Sequence, residues 1–237
     1  MPRSFGQLRE DDPRSLPSYS IPDAARYLLV PPATVRSWVA GRPYPTQSGV
    51  RRFSPVIAPA DSKKLILSFV NLVEIHVLSA VRKEHNVRLL HVRSAIDYLK
   101  RHFASPHPLA DQRLASDGVD LFVEKFGQLI NISQSGQLGI REFLLAHLKR
   151  VEWDARGIPF RLYPFTRAAV PEAPKTVMID PLIAFGRPVL VGTGIPTTVI
   201  AERYKAGESI EDLAEDYGRS HQEIQEAIRC ELFLHAA

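Results

Sequence analysis

The chain has 237 residues, 45% of them hydrophobic and 24% charged, with a net charge of +4. That length holds one large domain or two to three small ones, and no apolar run is long enough to span a membrane. Cys230 is the one cysteine, which excludes an intrachain disulfide and a cysteine-cluster metal site and fits a cytoplasmic location.

The charge is unevenly spread: residues 1–102 carry a net +8, residues 103–200 a net +1 and residues 201–237 a net −5. A basic front and an acidic back imply two partners of different kinds. Residues 1–17 are polar, lack the apolar core of a secretory signal, and read as a flexible tail.

Residues 20–39 predict two short helices joined by a tight turn. Ser20 with Asp23 is a capping-box pair, and Pro22 falls in the first turn, where its missing N–H costs nothing. Ile21, Ala25 and Leu28 share one face; Pro31 and Pro32 end the first helix and open a second. On that second helix Val35, Trp38 and Val39 point inward, leaving Ala33, Thr34, Arg36 and Ser37 outward. Small and basic side chains at the front of a helix suit a major groove. Ser48-Gly49 predicts a hairpin turn. Arg42 lies ahead of it, and Arg51 and Arg52 follow it, suited to gripping phosphate. Residues 18–58 resemble the winged helix-turn-helix of MerR-type regulators, in Arg36-Ser37-Trp38 and in Gly49-Val50-Arg51-Arg52-Phe53-Ser54. The resemblance implies DNA binding by Thr34, Arg36, Ser37, Arg42, Arg51 and Arg52.

Residues 65–84 are apolar nearly all round and predict a helix covered on several sides. His85-Asn86 breaks it. Leu89, Val92, Ile96, Leu99 and Phe103 then form a heptad-like seam. The pair, residues 65–103, is read as a dimerisation hairpin. His76, His91 and His102 lack a carboxylate or cysteine at ligand spacing and read as packing or surface residues. Residues 104–163 predict a β-rich element with one helix: strands at 119–126 and 128–132 around Gly127, a loop at Gly136 to Gly139, a helix from 140 to 153, and a strand at 160–163. Asp117, Asp120 and Glu124 read as turn and strand-surface acids. Three prolines make residues 164–176 a linker.

Residues 177–237 change texture again. Two short strands precede Gly192-Thr193-Gly194, which lacks the spacing and lysine of a phosphate loop. Three helices follow, over 198–205, 209–217 and 220 to about 234. Ser209 with Asp212 and Ser220 with Glu223 cap the last two, and Gly218 separates them. Shape makes this a helix-turn-helix, but Glu211, Asp212, Glu215, Asp216, Glu223 and Glu226 oppose entry into a phosphate-lined groove. They predict a protein-binding surface. Ile183, Gly186, Arg187, Pro188, Gly192, Thr193, Ile195, Pro196, Ala206, Gly207, Glu208 and Ser209 resemble a small bacterial and archaeal family long labelled a domain of unknown function. Gly194 stands where that family has arginine.

The order of the two modules resembles the larger VapB-type antitoxins, encoded beside PIN-like ribonuclease toxins. The fold expected is mainly α with small β elements (α+β). The resemblance implies a type II antitoxin that binds operator DNA for autoregulation, acts as a homodimer, and covers a PIN-like ribonuclease with the six acids. The alternative is a one-component regulator whose middle region senses a small ligand. No nucleophile–base pair, spaced carboxylate pair or metal motif is present, so no enzymatic activity, metal or cofactor is expected.

Overall fold

The computed structural model describes residues 8–9, 11–46, 49–82, 89–130, 133–167 and 173–232. α1 (Ile21–Leu28) begins with the expected capping box: Ser20 Oγ accepts from the Asp23 N–H, and Asp23 returns to the Ser20 N–H at 3.2 Å. Leu29 closes the helix in the left-handed conformation, φ 53°. α2 (Pro32–Ala40) buries Val35, Trp38 and Val39 against the α1 face. Its carbonyl at Trp38 accepts the N–H groups of Val56 (2.8 Å) and Ile57 (3.2 Å), which brings the chain back after the hairpin. That hairpin is β1 (Arg42–Thr46) paired antiparallel with β2 (Gly49–Phe53), in the register Arg42↔Phe53, Tyr44↔Arg51 and Thr46↔Gly49. The turn expected at Ser48 lies outside the described residues, as does the break expected at His85-Asn86.

α3 (Phe69–Arg82) starts later than the apolar run suggests, because residues 61–67 form a turn closed by the bridge Asp61↔Ile66 and followed by the bridge Tyr19↔Leu67. Leu72, Val73, Ile75, Val77 and Leu78 are fully buried. α4 (Leu89–Phe103) packs on α5 (Val119–Ile130), and α3 packs on α6 (Gln134–Leu148). The heptad-like positions Val92, Ile96, Leu99 and Phe103 are therefore covered within the chain. The seam offered as a reason for dimerisation is already filled.

Over the described residues 119–130, the strands expected at 119–126 and 128–132 are instead the single helix α5; residues 131–132 lie outside the described residues. Val119, Phe122, Val123 and Phe126 are buried, a 3.6-residue spacing that outweighs their β-favouring side-chain types. Gly127 makes no turn. A Cβ there would lie 2.7 Å from the Gln137 side chain, so glycine allows α5 and α6 to approach closely. Gly136 and Gly139 sit inside α6, which Ser133 caps, and not in a loop. Among the described residues of this region, strand structure is confined to β3 (Val151–Trp153) paired antiparallel with β4 (Pro159–Leu162).

β5 (Val177–Met178) and β6 (Val189–Leu190) pair antiparallel, and a bridge Leu162↔Ile179 joins them to the β3–β4 hairpin. α7 (Thr197–Lys205), α8 (Ile210–Tyr217) and α9 (His221–Leu232) then enclose a small core of Leu190, Ile200, Leu213, Ile224, Ala227 and Ile228. The result is mainly helical with small antiparallel strand pairs.

Two segments read as loose are fastened. Arg14 forms ion pairs with Asp12 (2.7 Å) and Asp154 (2.8 Å), tying residues 11–17 to the middle region. Beyond β4, buried Arg150 holds the carbonyls of Tyr163, Pro164, Ala173 and Pro174. The stretch read as a linker is thus bound to the body at both of its described ends.

Candidate functional site

Of the α2 residues expected to face DNA, Arg36 is exposed and Thr34 and Ser37 are half-buried. Ser37 Oγ donates to the Thr34 carbonyl at 2.9 Å, leaving its oxygen able to accept. Gly41, at φ 73°, turns the chain directly into β1. Arg42 on β1 and Arg51 and Arg52 on β2 are thereby carried on one two-stranded ribbon joined to α2. A helix followed directly by a two-stranded ribbon is the element order of a winged helix-turn-helix.

The acidic end is less uniform than its sequence implies. Glu226 is fully buried. It accepts from Thr166 Oγ1, from Arg167 Nε at 2.9 Å and from Arg229 Nη1 at 2.6 Å. Burial pushes its pKa up, but the Thr166 hydrogen bond and the two arginines outweigh this and hold it below the usual carboxylate range. A carboxylate so enclosed is a structural joint, and its placement on the expected toxin-facing surface is corrected. Glu223 accepts the Ser220 N–H at 2.9 Å, the main cause of its lowered pKa, and pairs with Arg219. Asp212 is joined to the Ser209 cap, and Asp216 pairs with Arg203. Glu211 and Glu215 are exposed, and among the described residues neither forms an ion pair. They are the acids of this set most available to a partner.

Two features carry no clear local signal in the sequence. The first is a ridge at residues 181–187. Ala184, Phe185 and Gly186 have φ of 48°, 56° and 75°, a short left-handed run. It presents Phe185 at 94% exposure and Leu182 at 79%. Left-handed backbone costs a non-glycine residue roughly 1–2 kcal/mol, and such strain concentrates at functional sites. The turn is held by Gly186 N–H to Ile183 O (2.9 Å) and by Tyr19 Oη donating to Gly186 O (3.1 Å). The only sequence signal was a large aromatic placed directly before Gly186-Arg187-Pro188.

The second is the joint between the two helix-turn-helix units. Glu231 on α9 is buried; it accepts from Thr197 Oγ1 at 2.6 Å and pairs with Arg26 on α1. Cys230 beside it is buried, which pushes its thiol up to about 12. It is therefore a packing residue at neutral pH.

Comparison with known proteins accords with this geometry. Residues 17–96 match the family described as "Putative DNA-binding HTH domain", and residues 177–229 match "Protein of unknown function (DUF433)". The chain carries both domains. "Putative antitoxin VapB45" of Mycobacterium tuberculosis is 28% identical over 233 residues, covering 90% of this chain and 93% of the relative. "Uncharacterized protein Rv2308" of the same organism is 25% identical, covering 89% and 88% respectively. A crystal structure of Rv2018 from that organism shares the fold, with TM-score 0.66 and 23% identity over 94% of this chain and all of that one. An antitoxin-named relative together with a DNA-binding domain fits an antitoxin with a regulatory role. No described helix is long and apolar enough to cross a membrane.

Proposed function

We propose that this chain is the antitoxin of a type II toxin–antitoxin pair, occluding a PIN-like ribonuclease and binding its own operator. The observation that carries the reading is the near full-length similarity to a protein named as an antitoxin, spanning both domains. The α2 front enters the major groove through Thr34, Arg36 and Ser37, while Arg42, Arg51 and Arg52 hold the phosphate backbone. The toxin meets the C-terminal domain at Glu211, Asp212, Glu215 and Asp216, with Phe185 as an apolar anchor. A ribonuclease must accommodate RNA phosphates, so basic surface is expected on it, and free carboxylates steer association with such a surface. Glu223 borders this face, and Glu226 supports it from within.

Autoregulation in the MerR-like manner needs a homodimer on a pseudo-palindromic site. Because α5 occupies the α4 seam, the second copy meets a face other than that seam.

The test is a ribonuclease assay with the adjacently encoded nuclease, run beside a titration of the upstream DNA. The reading expects one protein to perform both tasks. Absence of inhibition by the intact chain would remove the antitoxin assignment, and absence of sequence-preferring DNA binding would remove autoregulation.

A further inference from the structure

Among the described residues, Arg150 is a cation buried without an acid. It is 2% exposed. Nε donates to Tyr163 O (2.7 Å), Nη1 to Ala173 O (2.8 Å), and Nη2 to Pro164 O (3.2 Å) and Pro174 O (3.1 Å). The Phe165 ring centroid lies 4.3 Å from its Cζ. Carbonyl dipoles and a ring solvate the charge, but none cancels it. Elsewhere the chain behaves differently: Arg14, Arg26, Arg113 and Arg167 each meet a carboxylate. Burial draws the Arg150 pKa down from 12.5 to about 10, a sign that its charge is under-compensated.

Arg150 lines a cleft of about 740 Å³ together with Phe143, Leu145, Ala146 and Ala173. Exposed Lys149, Lys175 and Glu142 stand at its rim. Lys175 Nζ donates to the Lys149 carbonyl at 2.7 Å and sits 5.0 Å from the Tyr163 ring centroid. Among the described residues, no carboxylate forms an ion pair with Arg150, Lys149 or Lys175. Among the described residues, three cations and one rim acid surround walls that are largely apolar. The volume falls in the range of small-molecule sites, roughly 300–1,000 Å³.

We propose that this cleft between α6 and residues 173–175 binds an amphipathic carboxylate, its anionic head near the three cations and its apolar chain along Phe143, Leu145 and Ala146. The head supplies the charge that Arg150 lacks, and the lysines fix its position at the rim. The chain gains from leaving water, at about 25 cal/mol per Å² of apolar surface buried. A polar anion alone forgoes that gain, and a neutral chain forgoes the charge. The site is independent of the toxin reading, since its residues lie outside the C-terminal domain.

The experiment is calorimetric titration of the full chain with sodium decanoate below its micellar concentration, with decan-1-ol as the uncharged control. Saturable binding of decanoate, at least tenfold tighter than decan-1-ol, is expected. Lys149→Glu with Lys175→Glu should weaken decanoate binding at least tenfold and leave the alcohol unchanged. Ala146→Trp should fill the cleft and abolish binding with an unaltered circular dichroism spectrum. Equal affinity for acid and alcohol on the unaltered protein would overturn the proposal without recourse to any variant. So would an unchanged affinity in the double lysine variant, or no saturable binding at all.

Discussion

Arg26, in the last turn of α1, forms an ion pair with Glu231 near the end of α9, 205 residues later in the chain. The DNA-facing unit and the acidic unit are therefore fastened to each other and not strung on a tether. Glu231 has 4% of its side chain exposed and Arg26 26%, so water screens the pair only from one side. Among the described residues, Arg26→Ala leaves Glu231 with Thr197 as its hydrogen-bond partner. The expected loss is about 2 kcal/mol, below the full cost of breaking a buried pair because Arg26 is partly wet. Urea unfolding monitored by circular dichroism measures it; a loss below about 0.5 kcal/mol, the usual range of surface substitutions, contradicts this role.

Glu226 makes a comparable joint to Thr166 and Arg167 across 60 and 59 residues. Its folded pKa is depressed, so its stabilisation is present above the ordinary value of 4.5 and is lost as pH falls through the lower folded value. Glu226→Gln should destabilise the protein by roughly 3 kcal/mol at pH 7. It should also flatten the decline in stability below pH 4.5. A variant that declines as steeply as the parent would show that another group is responsible.

Two histidines, buried His76 and half-buried His107, should pull stability in opposite directions with pH. His76 is held well below its ordinary value of 6.5 by burial, reinforced by neighbouring His147 and Arg150. Its contribution is present above pH 6.5 and is lost as pH falls. Burial also lowers His107, but its pairing with Glu74 at 3.2 Å prevails and raises it above 6.5. That contribution is present below pH 6.5 and is lost as pH rises through the folded value. Urea midpoints from pH 5 to 8 should lose their acid-side slope in His76→Gln and their alkaline-side slope in His107→Gln. Reversal of either assignment contradicts the burial and pairing described.

Phe185 separates stability from recognition. Phe185→Gly relieves a left-handed φ of 56° and removes an exposed ring. It should raise thermal stability, by about 1 kcal/mol, while weakening association with the ribonuclease at least tenfold. Surface plasmon resonance beside calorimetry reads both. Unchanged affinity would exclude Phe185 from the interface.

Arg36→Ala should cost ~1–3 kcal/mol of operator preference, whereas changing Arg51 and Arg52 together should weaken binding to all sequences and flatten its salt dependence. Anisotropy titrations at two salt concentrations distinguish the two outcomes. A uniform loss from Arg36→Ala would place that residue on phosphate.

The first helix-turn-helix was legible because its signals are local. Ser20 with Asp23, the proline pair and inward Trp38 all act within a few residues. The α8 and α9 caps were legible for the same reason. The α5 helix was not, because Val119, Phe122 and Phe126 favour strands by type and Gly127 favours a turn; packing against α4 and α6 decides the matter. Nor did the sequence reveal which acids are free. Glu211 and Glu226 look alike in a helix, and only distant Thr166 and Arg167 show that one is enclosed.

The most direct measurement is the activity of the proposed ribonuclease partner, titrated with the intact chain and with the Phe185→Ser/Glu211→Lys/Glu215→Lys variant. Stoichiometric suppression by the intact chain is expected, with markedly weaker suppression by the variant and operator affinity unchanged. Full ribonuclease activity at a molar excess of the intact chain would contradict it.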